Sequence, residues 1–509
     1  METLFVILTL ILSSALILNK LSFISNKNPI QIVEDMGQGF NLGNSFDCYN
    51  STNPKLILTP DDQLTLCGNP VPTKETITKI KQSGFKTIRL PVNWMHFINE
   101  LDEVNSDWMS RVKEAVDWII RSNMYCILTI SDDEECWLSE GEKAKKKYIN
   151  LWKQIANEFI EYDQHLIFES MSQGNYNDYV ILLSLTQAFV DTIRDSGGNN
   201  YKRLLLINGL NSELESTCTT KYKIPYDPAN KLAISINYYF PERFTKEPED
   251  NKWFWYDGEG QIQIIEPFTT WGEKNDYTDM VSYFETLRTF FLKRDIPIII
   301  SKTGVLTKQN KEQESIRRYL NFLFSLSNSY KGIMACLWDT SSQSIGDFNY
   351  FNRENNQWYD EKIRSGFKNI TKGRYIKPTD YFIYSNVEET SSLDQDGKLT
   401  INFGLKRPIK LTIKISMSIR DPTQSGFGII SPSRQGNTHY IGVSCSEGKK
   451  QYDGNYVFNF EVKDKEFQDY VKVEKWWGND LFSLNFLGLE FEENYSFFNF
   501  EDYEKALSN

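Results

Sequence analysis

Between about residue 36 and residue 340 the chain switches repeatedly between two hydrophobic periods. Short runs rich in Ile, Leu and Val, too brief for helices, alternate with longer stretches in which apolar residues recur every three or four positions. That is the pattern of parallel strands joined by crossover helices. Eight strands are predicted: Gly39 to Leu42, Thr87 to Leu90, Tyr125 to Ile130, Leu166 to Glu169, Arg203 to Ile207, Leu232 to Asn237, Ile296 to Ser301 and Ile333 to Trp338. Between them, a stretch such as Asp107 to Ser122 places Trp108, Val112, Ala115, Val116 and Ile119 on one helical face. Eight such units in roughly 300 residues predict a (β/α)8 TIM barrel over residues 30–370, with its chemistry at the C-terminal ends of the strands. After Gly373 the period falls to two. Ile409, Leu411, Ile413, Ile415, Met417 and Ile419 alternate with polar residues, as do Tyr456, Phe458, Phe460 and Val462. Residues 374–509 are therefore expected to form a separate antiparallel β-sandwich.

Composition narrows the function. The 509 residues are 40% hydrophobic, enough for two cores, and carry 12 Trp, 27 Tyr and 33 Phe. A net charge of -12 argues against nucleic acid, whose binding rests on Lys and Arg neutralising phosphates. Only three histidines occur, His96, His165 and His439, which leaves little room for histidine-pair mechanisms or multi-histidine metal sites. No metal and no cofactor is expected. Seven cysteines do not make a disulfide scaffold. Cys126 and Cys336 sit in apolar runs and read as buried thiols, whereas Cys48 and Cys67 share a loop-rich stretch and can pair in an oxidising compartment.

The apolar run Leu4 to Leu18, closed by Asn19 and Lys20, fits a secretory signal peptide within residues 1–25. The n-region carries Glu2 and no Lys or Arg, so an uncleaved N-terminal anchor stays open as the alternative. Secretion is the expectation, and the acceptor sequons at Asn50, Asn369 and Asn494 would then be available for glycosylation.

The strand ends carry a resemblance. Gly39 to Cys48 (GFNLGNSFDC), Gly68-Asn69-Pro70, Gly84 to Trp94 (GFKTIRLPVNW), Leu166 to Met171 (LIFESM), Ser235 to Thr245 (SINYYFPERFT), Pro297 to Gly304 and Cys336 to Asp339 (CLWD) fall in order through residues 30–365. Together they resemble glycoside hydrolase family 5, and within it the endo-β-1,4-glucanases. The resemblance implies a (β/α)8 barrel and retaining glycosidase chemistry. That chemistry needs a carboxylic acid and a carboxylate nucleophile about 5 Å apart.

Neither group stands where the resemblance places it. The Asn-Glu-Pro motif that ends strand 4 in the family reads Ser172-Gln173-Gly174, and the Gly-Glu-Phe-Gly motif of strand 7 reads Ser301-Lys302-Thr303-Gly304. A carboxamide has no proton to give at neutral pH, and an ammonium cannot attack an anomeric carbon. The family's histidines align with Ser131, Asp132 and Asn237; His96, just past strand 2, is the one histidine placed to reach the rim. Positions that match are Asn44, Arg89, Trp137, Tyr239 and Trp338, which the resemblance assigns to substrate binding. In the family the Arg supports the nucleophile and the Trp after strand 8 floors the reacting-sugar subsite.

Lys302 beside Arg89 would put two cations where a carboxylate and an arginine pair in the family, and Asp132 is expected to rewire the site by pairing with one of them. Glu169 reads as structural. In the sandwich, Trp476-Trp477-Gly478, Tyr440 and His439 stand out. Adjacent strand residues point to opposite faces, so one tryptophan is expected in the core and one in solvent, and the domain is a candidate carbohydrate-binding module.

The leading expectation is a secreted, monomeric, catalytically inactive family 5 homologue with a polysaccharide (β-glucan) cleft and no membrane partner beyond the leader. Two alternatives stand beside it: an active β-glucanase with carboxylates relocated to Asp132, Asp133 or Glu134, and a structural or interaction protein on a barrel scaffold.

Overall fold

A computed structural model describes residues 27–49, 58–131, 141–173, 179–219, 222–246, 253–256, 262–265, 268–307, 311–341, 348–384, 390–393, 399–402, 408–417, 422–432, 438–450, 456–461, 470–478, 482–491 and 496–508. Contacts divide the chain into two compact units. One comprises Met1–Asp380 with Phe500–Asn509, and the other Tyr381–Asn499. The expected second domain thus begins a few residues later than residue 374, and the terminal helix Phe500–Ser508 groups with the first unit, where Tyr503 packs on Tyr277.

The first unit is a closed eight-stranded parallel barrel. Its strands are β1 Gly39–Leu42, β2 Thr87–Val92, β3 Tyr125–Ile130, β4 Leu166–Glu169, β5 Leu205–Asn208, β6 Leu232–Tyr238, β7 Ile298–Thr303 and β8 Ile333–Asp339. All eight predicted strands are present, displaced by at most two residues at an end. A helix follows each: α1 Lys74–Gln82, α2 Ser106–Arg121, α3 Glu142–Glu158, α4 Tyr179–Asp195, α5 Leu214–Thr217, α6 Lys274–Phe290, α7 Gln313–Ser329 and α8 Glu361–Thr371.

The local reasons are visible at α2. Asn105 caps it, its side-chain oxygen accepting from the amides of Asp107 and Trp108 at 2.9 and 3.0 Å, a cap that contributes about 1 kcal/mol. Trp108, Val112, Ala115, Val116 and Ile119 are its buried face, as the spacing predicts. Each large apolar side chain buried there contributes about 1.5–3 kcal/mol. At the N-terminal mouth of the barrel, the helix Pro29–Met36 buries Ile32, Val33 and Met36 against Ile127, Ile167, Leu206, Ile299 and Met334. That end is filled with apolar side chains, which leaves chemistry to the other.

The second unit is antiparallel. Besides the short pair Phe382–Tyr384 and Ser496–Phe498, its strands are β9 Thr390–Leu393, β10 Leu399–Asn402, β11 Pro408–Met417, β12 Gly426–Pro432, β13 Thr438–Ser444, β14 Lys449–Lys450, β15 Tyr456–Glu461, β16 Tyr470–Trp477 and β17 Phe482–Phe491. They form a five-stranded sheet ordered β9-β10-β16-β12-β13 and a four-stranded sheet ordered β14-β15-β11-β17. Phe427 of the first and Phe458 of the second meet edge to face, with centroids 5.0 Å apart.

Among the described residues Cys48 and Cys67 form a disulfide, and Cys126 and Cys336 are buried thiols. No described helix is long and apolar enough to cross a membrane.

Candidate active-site cleft

Four barrel strands each set a polar residue between or beside apolar ones: Asn41 on β1, Arg89 on β2, Glu169 on β4 and Ser235 on β6. All four are fully buried. A buried charge is tolerable only when it is paired and hydrogen-bonded, and these residues satisfy one another. Arg89 Nε donates to Glu169 Oε2 at 2.6 Å, Nη1 donates to Asn41 Oδ1 at 3.0 Å, and Nη2 donates to the Ser172 carbonyl at 3.3 Å and its hydroxyl oxygen at 3.2 Å. Ser235 Oγ donates to Glu169 Oε1 at 2.5 Å, and Asn41 Nδ2 donates to the Ser301 carbonyl at 2.7 Å. The expected two-cation pair is therefore corrected. Arg89 is neutralised by Glu169, two strands away across β3, which is why Glu169 is structural.

Above this layer the strand ends are pinned. The Ser172 amide donates to the Ile130 carbonyl at 2.7 Å. Ser170 Oγ donates to Asn208 Oδ1 at 2.6 Å, and Asn208 Nδ2 donates to the Met171 carbonyl at 2.8 Å. Gln173 is the next residue along, half-buried at the end of β4. Sequence reasoning overlooked Asn41, Ser235 and Asn208, although each shows as a polar interruption of an apolar run.

Lys302 occupies the end of β7, where the pairing is irregular. Ile300 opposes Ile236 and Lys302 opposes Asn237, so Ser301 is an extra residue, and its hydroxyl donates to the Ile236 carbonyl and Asn237 Oδ1, both at 3.1 Å. Such bulges re-aim the neighbouring side chain. The Lys302 ammonium lies 4.4 Å from the ring centroid of Trp338, with the lysine only 4% exposed. Cation and indole face attract, the more so for being desolvated. Trp338 itself is half-buried and rests against Gly43, where a Cβ would sit 2.9 Å from Cη2. Glycine at 43 makes room for the indole.

The loop after β8 is held by a buried ion pair. Arg353 Nη2 donates to Asp339 Oδ2 at 3.0 Å, while Nη1 donates to the Gly43 carbonyl and Ser45 Oγ at 2.6 Å. Tyr239 is half-buried, its ring 5.5 Å from Phe348 and 4.8 Å from the Lys246 ammonium, and burial pushes its phenol above the usual tyrosine range. Asn44 adopts a left-handed backbone (φ 53°) and its carbonyl accepts from Asn69 Nδ2 at 2.8 Å. Lys302 and Trp338 thus meet at the C-terminal mouth of the barrel, Arg89 lies in the buried polar layer, and Gln173, Tyr239 and Asn44 follow the ends of β4, β6 and β1. Trp137 and Asp132 lie outside the described residues, so the Asp132 pairing does too.

Two of the three histidines lie in the first unit, His96 in the turn just past β2 and His165 just before β4. His96 Nδ1 bonds Gln63 Oε1 at 2.9 Å and its ring stacks on Tyr49, while burial lowers its pKa. His165 pairs with Asp163 near the N-terminal end of β4. Among the described residues no group of three or more His, Cys, Asp or Glu side chains could hold a metal ion.

The family description "Cellulase (glycosyl hydrolase family 5)" matches residues 49–344, more than half of the chain. The chain belongs to glycosyl hydrolase family 5. Among solved structures of the family, a "GH5-4 broad specificity endoglucanase from an uncultured bovine rumen ciliate" is 51% identical with a TM-score of 0.65, covering 68% of this chain and 99% of that one. A family 5 lichenase mutant from Caldicellulosiruptor sp. F32, solved in complex with cellotetraose, is 25% identical with a TM-score of 0.59, covering 68% and 96%. Endoglucanase A of Paenibacillus barcinonensis is 31% identical over 358 residues, 64% of this chain and 86% of that protein. The residues that match the family, 49–344, all lie in the first unit of this family 5 member.

Proposed function

We propose that this family 5 member is catalytically silent and binds a β-glucan through its barrel cleft. The observation that carries the reading is Lys302. Where a retaining glycosidase needs an ionised carboxylate aimed at the anomeric carbon, this chain places an ammonium over the face of Trp338. A cation there repels the oxocarbenium charge that develops in the transition state. At the end of β4, Gln173 offers an amide that cannot act as a general acid. Two losses from one cooperating set leave binding as the remaining contribution.

What remains around them is compatible with binding: half-buried Trp338 and Tyr239 stand at strand ends, over a floor that Arg89, Glu169 and Asn41 hold rigid, and sugar affinity is the measurement that decides it. The glutamate-to-glutamine lichenase mutant that holds cellotetraose supports the idea that a carboxamide in place of a carboxylate is compatible with sugar binding. The apolar leader and the Cys48–Cys67 disulfide both favour secretion into an oxidising compartment. The facing sheets of the second unit, in contact through Phe427 and Phe458, fit a β-sandwich.

The test restores both groups. Gln173→Glu with Lys302→Glu is expected to hydrolyse barley β-glucan or carboxymethyl cellulose, while the wild type produces no reducing ends. Turnover by the wild type that is abolished by Asp132→Asn would refute the reading in favour of relocated carboxylates.

A further inference from the structure

We propose that Trp476 and Trp477 form a flat aromatic platform on the five-stranded sheet, which binds a neutral β-linked glucan chain by stacking against its pyranose faces. In a regular strand two adjacent tryptophans leave on opposite sides, which is the arrangement the sequence suggests. Here both are 39% exposed. The pairing of β12 with β16 supplies the reason. Phe427 opposes Lys475 and Gly426 opposes Trp477, so Trp476 is an extra residue and the two strands slip by one at that point. A bulge of this kind brings consecutive side chains to the same face.

The glycines of the neighbouring strands give an independent indication. A Cβ at Gly428 would overlap the indole of Trp476, and one at Gly426 would overlap that of Trp477. Gly442, opposite Gly428 on β13, lies within reach of both, its Cβ position being 3.4 Å from Cζ3 of Trp476 and 3.9 Å from Cζ3 of Trp477. Three glycines on two strands therefore make a bed across which both indoles lie. Glycine weakens a strand interior and marks a place where another group approaches the backbone closely. The core does not need these rings, because Phe427, Ile429, Val443 and Val473 fill the opposite face and are all buried.

The chemistry of the patch selects its occupant. Indoles laid across a backbone offer broad electron-rich faces to solvent, and such faces attract the polarised C–H groups of a pyranose. Trp476 Nε1 donates to Glu474 Oε1 at 3.2 Å, which fixes that ring. Exposed Lys472 and Lys475 stand beside Glu474, so donors and acceptors of both signs border the rings, as hydroxyl-rich neutral chains require. The chain's net charge of -12 disfavours a polyanion. The same polypeptide carries a cellulase-family barrel, which points to a β-glucan as the chain that meets the platform.

The platform makes no use of the barrel cleft, so the two readings separate in one experiment. The full-length protein, Trp476→Ala/Trp477→Ala and Trp338→Ala are compared by affinity electrophoresis in hydroxyethyl cellulose and by depletion on microcrystalline cellulose. The expected result is retention by the wild type, a weakening of about fivefold to tenfold for each tryptophan lost from the sheet, and partial rescue by Trp476→Tyr/Trp477→Tyr. Circular dichroism and thermal unfolding verify that the variants fold; should the alanine pair fail to fold, the tyrosine pair decides, and undiminished retention by it overturns the platform. Wild-type retention that disappears with Trp338→Ala but survives Trp476→Ala/Trp477→Ala also overturns the platform and leaves the cleft. Loss in the sheet variant alone supports the platform without the cleft, and no retention of any form overturns both.

Discussion

If Lys302 blocks the tryptophan face on which a sugar would stack, removing it should improve sugar binding. The perturbation is Lys302→Ala, with Lys302→Arg as the control that keeps a cation at the position. The ammonium sits 4.4 Å from the Trp338 centroid and the lysine is 4% exposed, which places the contact among the desolvated cation–π pairs that contribute about 2 kcal/mol. A pyranose cannot occupy the indole face until that contact is given up, so the wild type binds more weakly by at least this amount. At 1.4 kcal/mol per factor of ten, the alanine variant should bind cellotetraose about 30-fold more tightly, and the arginine variant should stay near the wild type. Isothermal titration calorimetry supplies the affinity, and quenching of tryptophan fluorescence reports contact with the indole. An affinity for Lys302→Ala equal to or below that of the wild type, in a variant whose thermal unfolding is unchanged, would show that the ammonium does not compete with sugar.

Two further outcomes follow from the groups around the site. Glu169→Gln leaves Arg89 buried without its counter-charge, so the barrel should lose about 3–5 kcal/mol, read as a lowered unfolding temperature; a shift within experimental error would contradict the network described for Arg89. His96 is kept below its ordinary pKa by burial, so the unfolded chain binds its proton first as the pH drops. Stability should therefore fall as pH decreases from 7 through the ordinary histidine range, with that component missing in His96→Gln; parallel pH profiles for the two proteins would remove the assignment.

The barrel was legible because strands buried on both faces appear as short continuous apolar runs, and the polar floor was legible as the breaks in them: Asn in GFNL, Arg in TIRLPV, Glu in LIFE. What those breaks bond to was not. Arg89 and Lys302 stand in the sequence as two cations on barrel strands, and nothing in either segment indicates that a β4 carboxylate reaches one while an aromatic face meets the other. The two bulges were hidden for a related reason. A bulge belongs to the pairing of two strands, so neither SKTG alone nor KWWG alone reveals that Lys302 is re-aimed or that two adjacent tryptophans share a face.

Floor and rim differ in what holds their residues in place. Arg89, Glu169, Asn41 and Ser235 are fully buried and mutually bonded, so any one of them is held in place by folding stability whether or not a sugar ever binds. Arg89 is thus explained by the fold itself, and its presence alone does not report a ligand. Gln173 is different: it stands half-buried at the strand end, where replacing a carboxylic acid by a carboxamide of the same shape costs the fold little. Lys302 is the more demanding position, since the lysine is nearly excluded from water, and the Trp338 face is one group that stabilises its ammonium there. On the proposed reading Trp338, which the family resemblance assigns to sugar stacking, helps to stabilise the lysine at the position the resemblance gives to the nucleophile. Trp338 is therefore no evidence of sugar binding by its mere presence, and the affinity gained on removing Lys302 is the measurement that separates a retained subsite from a filled one.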